Sequence, residues 1–111
     1  MMDMVMLSET NGIVQILDVA LDPVSHCAWQ NGKMLVLTPK EYELLYFLAV
    51  NKDKAVSRDE ILSTVWGYAY SGTTRTVDVH IQRLRKKLHW EKDIQTVFKY
   101  GYRLCTGTNH D

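Results

Sequence analysis

At 111 residues the chain has the size of one domain and is long enough to bury a core without metals or disulfides. Its hydrophobic (46%) and charged (23%) fractions are those of an ordinary soluble globular protein, and no apolar run approaches the roughly 20 residues that span a bilayer. The formal net charge of zero argues against a polyanionic partner, but residues 1–74 carry five basic and nine acidic side chains, whereas residues 75–103 carry eight basic and three acidic. That asymmetry, a basic last third on an acidic body, keeps nucleic acid among the candidate partners.

In chain order, residues 1–12 open with Met1-Met2-Asp3-Met4-Val5-Met6-Leu7, which lacks the basic start and the length of a signal peptide. They read as a tail or linker remnant before a domain at 13–106, with 107–111 as a C-terminal tail. The β-branched run Ile13, Val14, Ile16, Leu17, Val19 and Leu21 predicts a strand ended by Asp22-Pro23. His26 to Gln30 and Lys33 to Leu37 flank Asn31-Gly32, a pair suited to the φ > 0 angles of a tight hairpin turn. The first 37 or so residues are therefore expected to form a small antiparallel sheet.

The periodicity changes at Thr38-Pro39-Lys40-Glu41, where a capping residue, a proline at the first helical position and a capping-box glutamate stand in register. Leu44, Leu45, Leu48 and Ala49 then share one helical face. Ser57-Arg58-Asp59-Glu60 predicts a second capping box, with Ile61, Leu62, Val65 and Trp66 as the apolar face and Gly67 as a left-handed stop. Tyr68 to Thr74 is read as a loop, and a third helix runs from Thr74 or Arg75 to about Leu88. Ile94 to Phe98 and Tyr102 to Cys105, joined through Lys99-Tyr100-Gly101, make a C-terminal hairpin.

At 100° per residue, Val77, Ile81, Leu84 and Leu88 form a narrow apolar stripe on the third helix. Arg75, Val79, Gln82, Arg83 and Lys86 face the other way, flanked by Thr76, His80 and Lys87 on one edge and Arg85 on the other. Arginine can pair bidentately with guanine, glutamine with adenine, and valine can touch a thymine methyl. Fourteen residues make a rod of roughly 21 Å that fits a major groove about 12 Å wide. Alone, such a helix is also what a solvated basic surface looks like. The preceding short helix and loop make it a helix-turn-helix variant, and the hairpin after it, with Lys99, Tyr100, Tyr102 and Arg103, is placed to act as a wing.

Catalytic signatures are absent. His26, His80, His89 and His110 are scattered without metal-ligand spacing, and no nucleophile elbow or phosphate loop is present. No cofactor and no metal is expected. Cys27 and Cys105 lie outside any zinc-type spacing and read as two half-buried thiols of a cytoplasmic protein.

Four segments resemble the OmpR/PhoB family of response-regulator effector domains. They are Leu37-Thr38-Pro39-Lys40-Glu41-Tyr42-Glu43-Leu44-Leu45, then Ser57-Arg58-Asp59-Glu60-Ile61-Leu62 with Val65-Trp66-Gly67, then Arg75 through Leu88, and finally Gly101-Tyr102-Arg103-Leu104. The resemblance covers about residues 18–105. It implies an α+β fold, a winged helix-turn-helix with an N-terminal four-stranded antiparallel sheet, three helices and a C-terminal β-hairpin wing. It further implies sequence-specific binding of double-stranded DNA at tandem direct repeats, and transcription regulation as the output half of a two-component system. By position, Arg83, His80 and Gln82 would face bases or phosphates, with Thr76 and Val79 on the same helix. Arg75, Arg85, Lys86, Lys87 and Trp66 would hold the DNA backbone, and Lys99 and Tyr102 would add wing contacts.

The loop Tyr68, Ala69, Tyr70, Ser71 and Gly72 would meet RNA polymerase, and a sensor histidine kinase would act on a receiver domain that this sequence does not contain. The chain therefore reads either as an excised effector domain, which the short featureless stretch before Ile13 favours, or as a natural protein that lacks a receiver. Two departures stand out: Phe98-Lys99 occupies the wing tip where many relatives place arginine and glycine, and Gln82 stands where relatives often carry a basic residue. The competing reading is a winged-helix protein-interaction module that binds no DNA.

Overall fold

A computed structural model describes residues 12–107, so the tail readings for residues 1–11 and 108–111 lie outside the described residues. The β-branched run expected as one strand is two: β1 (Val14–Ile16) and β2 (Val19–Asp22), paired antiparallel with Ile16 opposite Val19. Burial explains the break. Ile16 and Val19 are three apart and would point to opposite faces of a continuous strand, yet both are buried. A turn at Leu17-Asp18, with Leu17 at φ +54°, turns both side chains inward. Asp18 pins that turn, its carboxylate accepting from Gln30 Nε2 and Trp90 Nε1 at 3.1 Å each.

Strands β3 (Cys27–Gln30) and β4 (Lys33–Met34) complete a four-stranded antiparallel sheet in the order β1-β2-β3-β4. Asn31 and Gly32 both take positive φ between them, as the sequence predicts. Helix α1 (Pro39–Val50) begins at the full capping box: Thr38 Oγ1 accepts from the Glu41 N–H, and the Glu41 carboxylate accepts from the Thr38 N–H. Its inner face buries Tyr42, Leu44, Leu45, Leu48 and Ala49.

Helix α2 starts at Arg58 after the Ser57 cap, runs as α-helix to Ile61, and finishes as a π-helical turn over Leu62–Trp66. Local spacing gives no warning of that wider turn. The Gly67 N–H closes it on the carbonyls of Leu62 and Ser63, and Lys40 Nζ donates to the Val65 carbonyl from α1. Gly67 stops the helix at φ +98°, ψ 153°, an extended glycine conformation rather than the left-handed one expected.

Helix α3 (Arg75–Leu88) buries Val77, Ile81, Leu84 and Leu88, the stripe the periodicity predicts, and ends at His89 in the left-handed region. The hairpin β6 (Ile94–Val97) and β7 (Gly101–Leu104) follows. A strand absent from the sequence reading, β5 (Val56–Ser57), pairs with β7 and makes a three-stranded sheet in the order β5-β7-β6. Cys27 and Cys105 are free, half-buried thiols. No helix among the described residues is long and apolar enough to cross a membrane.

The β5–β7 contact requires a glycine. A Cβ on Gly101 would be driven into the Val56 carbonyl oxygen and against the Ser57 Cα, both backbone atoms that cannot rotate away. Gly101→Ala is expected to cost about 1–3 kcal/mol, as overpacking does. Urea unfolding checks this; an unchanged midpoint would show that β5 gives way freely.

Candidate nucleic-acid interface

Burial of the Val77/Ile81/Leu84/Leu88 stripe turns the opposite face of α3 to solvent. Arg75, Val79, Gln82, Arg83 and Lys86 are exposed there, and Thr76 and His80 are half-buried at its edge. Among the described residues, no hydrogen bond or ion pair holds the side chains of Gln82, Arg83 or Lys86. Their donors remain available to a ligand.

The N-terminal end of this face is built from aromatics. Trp66 packs edge-on against His80 with centroids 4.9 Å apart, and Tyr70 lies 6.3 Å from Trp66. The Tyr70 hydroxyl and Thr76 Oγ1 are 3.0 Å apart. His80 Nδ1 lies 2.9 Å from the Thr76 carbonyl oxygen. Because a carbonyl only accepts, that contact places a proton on Nδ1. Trp66, expected at the DNA backbone, is therefore also the support on which His80 rests.

Asp78 is the hub that joins α3 to its neighbours. Its Oδ1 accepts from Arg58 Nε of α2 at 2.9 Å and from the Tyr102 hydroxyl of β7 at 2.6 Å. The Arg58 and Arg85 guanidinium carbons lie 5.0 and 5.5 Å from the Tyr102 ring centroid. Burial pushes the Asp78 carboxyl up, but the bonds from Tyr102 and Arg58 outweigh it and hold the group below the ordinary 3.8. Burial, then the Asp78 contact, pushes the Tyr102 phenol up.

Three expected DNA contacts are given framework jobs by this geometry. Tyr102 is only 3% exposed, and its single O–H is donated to Asp78, so it has no proton to offer a phosphate. Arg85 donates twice to the Ile94 carbonyl, at 2.6 and 2.9 Å, and once to Thr96 Oγ1, tying α3 to β6. Lys87 donates to the Glu41 carboxylate at 2.6 Å and to the Val36 carbonyl at 3.0 Å. Its charge is thus largely matched by a carboxylate buried at the start of α1. Burial pushes the Glu41 carboxyl up, yet Lys87 and the Thr38 N–H hold it below its ordinary 4.5.

The sequence reading missed Arg58 and Asp78. The available signal was Asp78 itself, a lone acid next to the apolar stripe on a helix otherwise rich in cations. The loop Tyr68–Gly72 is exposed throughout, and Lys99 is exposed at the wing tip. Among the described residues no group of His, Cys, Asp or Glu is placed to hold a metal.

The hub predicts a pH dependence. A carboxyl whose folded value is lowered contributes stability that is present above its unfolded value and is lost as pH falls through the folded value. Asp78→Asn is expected to lower stability by about 1 kcal/mol at pH 7, because the Asp78 side chain is 40% exposed and solvent screens the pair. The variant should then lose less than the native chain between pH 7 and pH 3, read from urea midpoints. Equal losses would show that Asp78 is not held by Arg58 and Tyr102.

Comparison with known proteins agrees with this geometry. The family model described as "Transcriptional regulatory protein, C terminal" matches residues 32–104. The chain is 41% identical over 103 residues to the transcriptional regulatory protein ResD of Bacillus subtilis, covering 88% of this chain and 43% of ResD. It is 36% identical over 104 residues to SrrA of Staphylococcus aureus, covering 89% of this chain and 43% of SrrA. The chain therefore spans less than half the length of these relatives. Among solved structures, the Klebsiella pneumoniae RstA DNA-binding domain in complex with its RstA box superposes with a TM-score of 0.76 at 31% identity, covering 85% of this chain and 97% of that one. The chain belongs to the family of transcriptional regulatory protein C-terminal domains, the non-enzymatic winged-helix effector domains of OmpR/PhoB type.

Proposed function

We propose that this domain binds double-stranded DNA sequence-specifically, with α3 in the major groove, and regulates transcription as the output domain of a two-component response regulator in the cytoplasm. The observation that carries the reading is the outward face of α3, where Gln82, Arg83 and Lys86 are exposed and uncommitted on a helix held to the core by its other side. The RstA domain, a structural neighbour, is bound to DNA in its solved structure, which supports the same use here.

Arg83 is assigned to a base edge, with Gln82 and Val79 beside it. Arg75, Lys86 and Lys99 are assigned to phosphates. Thr76, His80 and Trp66 shape the N-terminal end of the contact. Three cations (Arg75, Lys86 and Lys99) are assigned to phosphates, so the logarithm of affinity should fall with the logarithm of salt with a slope of about −3 per domain. Arg83→Ala should cost about 1–3 kcal/mol at one base position and relax specificity there, whereas Lys86→Ala should weaken all sequences alike and flatten the salt slope by about 1. Fluorescence anisotropy on duplexes selected from a randomised pool measures both. Binding that ignores salt, or no binding at 50 mM salt, would instead favour the protein-interaction module.

The finer partners rest on the resemblance and on exposure. Two copies would occupy tandem direct repeats about one helical turn apart. A sensor histidine kinase would act on a receiver domain elsewhere in the full regulator. The Tyr68–Gly72 loop would meet RNA polymerase, and its Tyr68 is 94% exposed. Tyr68→Ala is expected to reduce transcription in a reconstituted assay severalfold while leaving DNA affinity unchanged. A parallel loss of affinity would place Tyr68 on DNA instead.

A further inference from the structure

Phe98, like Tyr68 of the loop before α3, is an aromatic side chain that the core does not take in. It stands 82% exposed at the tip of the β6–β7 hairpin, while Tyr42, Trp90 and Tyr102 are buried. Single exposed apolar side chains are common and by themselves mean little. Phe98 differs in how it is held. The tip is a three-residue turn, Phe98-Lys99-Tyr100, closed by the Val97–Gly101 pair and by the Tyr100 N–H on the Val97 carbonyl at 2.9 Å. Lys99 sits at φ +58°, and its ammonium lies 5.4 Å from the Phe98 ring centroid. The Tyr100 carbonyl accepts from the Arg58 N–H at 3.1 Å, so the turn is also bonded to the start of α2.

The hairpin cannot swing independently of α3. Arg85 holds β6 through Ile94 and Thr96, and Asp78 holds β7 through Tyr102. A ligand seated on α3 therefore meets the wing tip in a fixed position, and what the tip presents is an aromatic ring capped by a cation. A minor groove about 6 Å wide is too narrow for a two-stranded ribbon but admits one side chain from its tip. An apolar ring there packs on sugar faces or wedges between base steps, which is easiest at flexible pyrimidine–purine steps, while an adjacent cation meets the flanking phosphate.

We infer that Phe98 enters the minor groove next to the α3 half-site as an apolar wedge, with Lys99 on the neighbouring phosphate, so that the wing selects deformable DNA rather than reading base edges. This rests on the DNA-binding function proposed above. It assigns to Phe98 a specificity-determining role in which shape is read without hydrogen bonds.

The test uses the duplex enriched by selection or, failing enrichment, an A·T-rich 30-base-pair duplex at 50 mM salt. 2-aminopurine is placed at successive positions flanking the bound site, and its fluorescence rises on unstacking. The native chain should raise the signal at one flanking step. Phe98→Ala should abolish that rise and weaken binding about tenfold with the salt slope unchanged, since no phosphate contact is lost. Phe98→Leu should keep most of both, and Lys99→Ala should flatten the salt slope while keeping the fluorescence rise. Because Phe98 is exposed, an unchanged melting temperature confirms that each variant is folded. Phe98→Ala binding like the native chain with the same fluorescence, or losing affinity together with salt slope, overturns the inference while the DNA-binding reading stands. Failure of the native chain to bind either duplex removes both.

Discussion

The orientation of α3 about its own axis is the constraint on which the rest of the structure depends. Val77, Ile81, Leu84 and Leu88 are essentially without solvent contact, and each buried aliphatic side chain is worth about 1.5–3 kcal/mol. Rolling the helix by one residue, about 100°, would expose the whole stripe, a cost no surface hydrogen bond offsets. The stripe leaves open how far the helix slides along its axis and where the wing stands beside it. Polar contacts settle these. Asp78 engages Arg58 and Tyr102 near the helix start, and Arg85 engages Ile94 and Thr96 further along. At the far end, Gln30 Nε2 donates to the Leu88 carbonyl from β3, and Lys87 reaches Glu41 of α1. Each is modest, about 1 kcal/mol, but together they join both sheets and both other helices to one element.

The same contacts resolve the apparent conflict between a net charge of zero and a polyanionic partner. The acidic groups are not spread evenly over the surface. Glu41 and Asp78 are spent on Lys87 and Arg58, and Asp18 is occupied by Gln30 and Trp90. The cations so matched lie at the joints of the fold. Arg83 and Lys86, without such partners, lie on the outward face of α3. Within a Debye length of about 8–10 Å it is this local sign, rather than the sum over the chain, that a ligand meets.

Features set by neighbours in the chain were legible in the sequence. The Thr38/Glu41 capping box, the Asn31-Gly32 turn and the 3.6-residue stripe of α3 each need only residues a few positions apart. What could not be read depends on distant partners. Strand β5 is two residues long and exists because Val56 and Ser57 lie against Gly101 and Tyr102, some 45 positions away. The break at Leu17 is made by a leucine at positive φ, a conformation its residue type does not announce, and by an aspartate whose partners are Gln30 and Trp90. The candidate interface divides the same way. A helical wheel places Arg83 and Lys86 outward by angle alone. It also places Arg85 and Lys87 on the rims of that face, with no knowledge that the Ile94 carbonyl and the Glu41 carboxylate lie across from them.

This division bears on how the domain would gain affinity. An interface whose backbone is fixed in advance loses little entropy on binding, and here helix and wing are joined before any ligand arrives. The remaining cost is the ordering of a few long side chains, Arg75, Arg83, Lys86 and Lys99. On the DNA-binding reading the electrostatic gain is also limited, because a domain that neutralises about three phosphates, through Arg75, Lys86 and Lys99, holds DNA weakly at physiological salt. Rigidity cannot remove that limit, since it refines geometry without adding charge. A second copy on an adjacent repeat can: it doubles the phosphates neutralised, and its binding is favoured once the first is in place and the two touch. A preorganised but sparsely charged interface is therefore suited to reading a site precise in shape and to depending on a neighbour for strength, which leaves occupancy open to control by whatever brings two copies together.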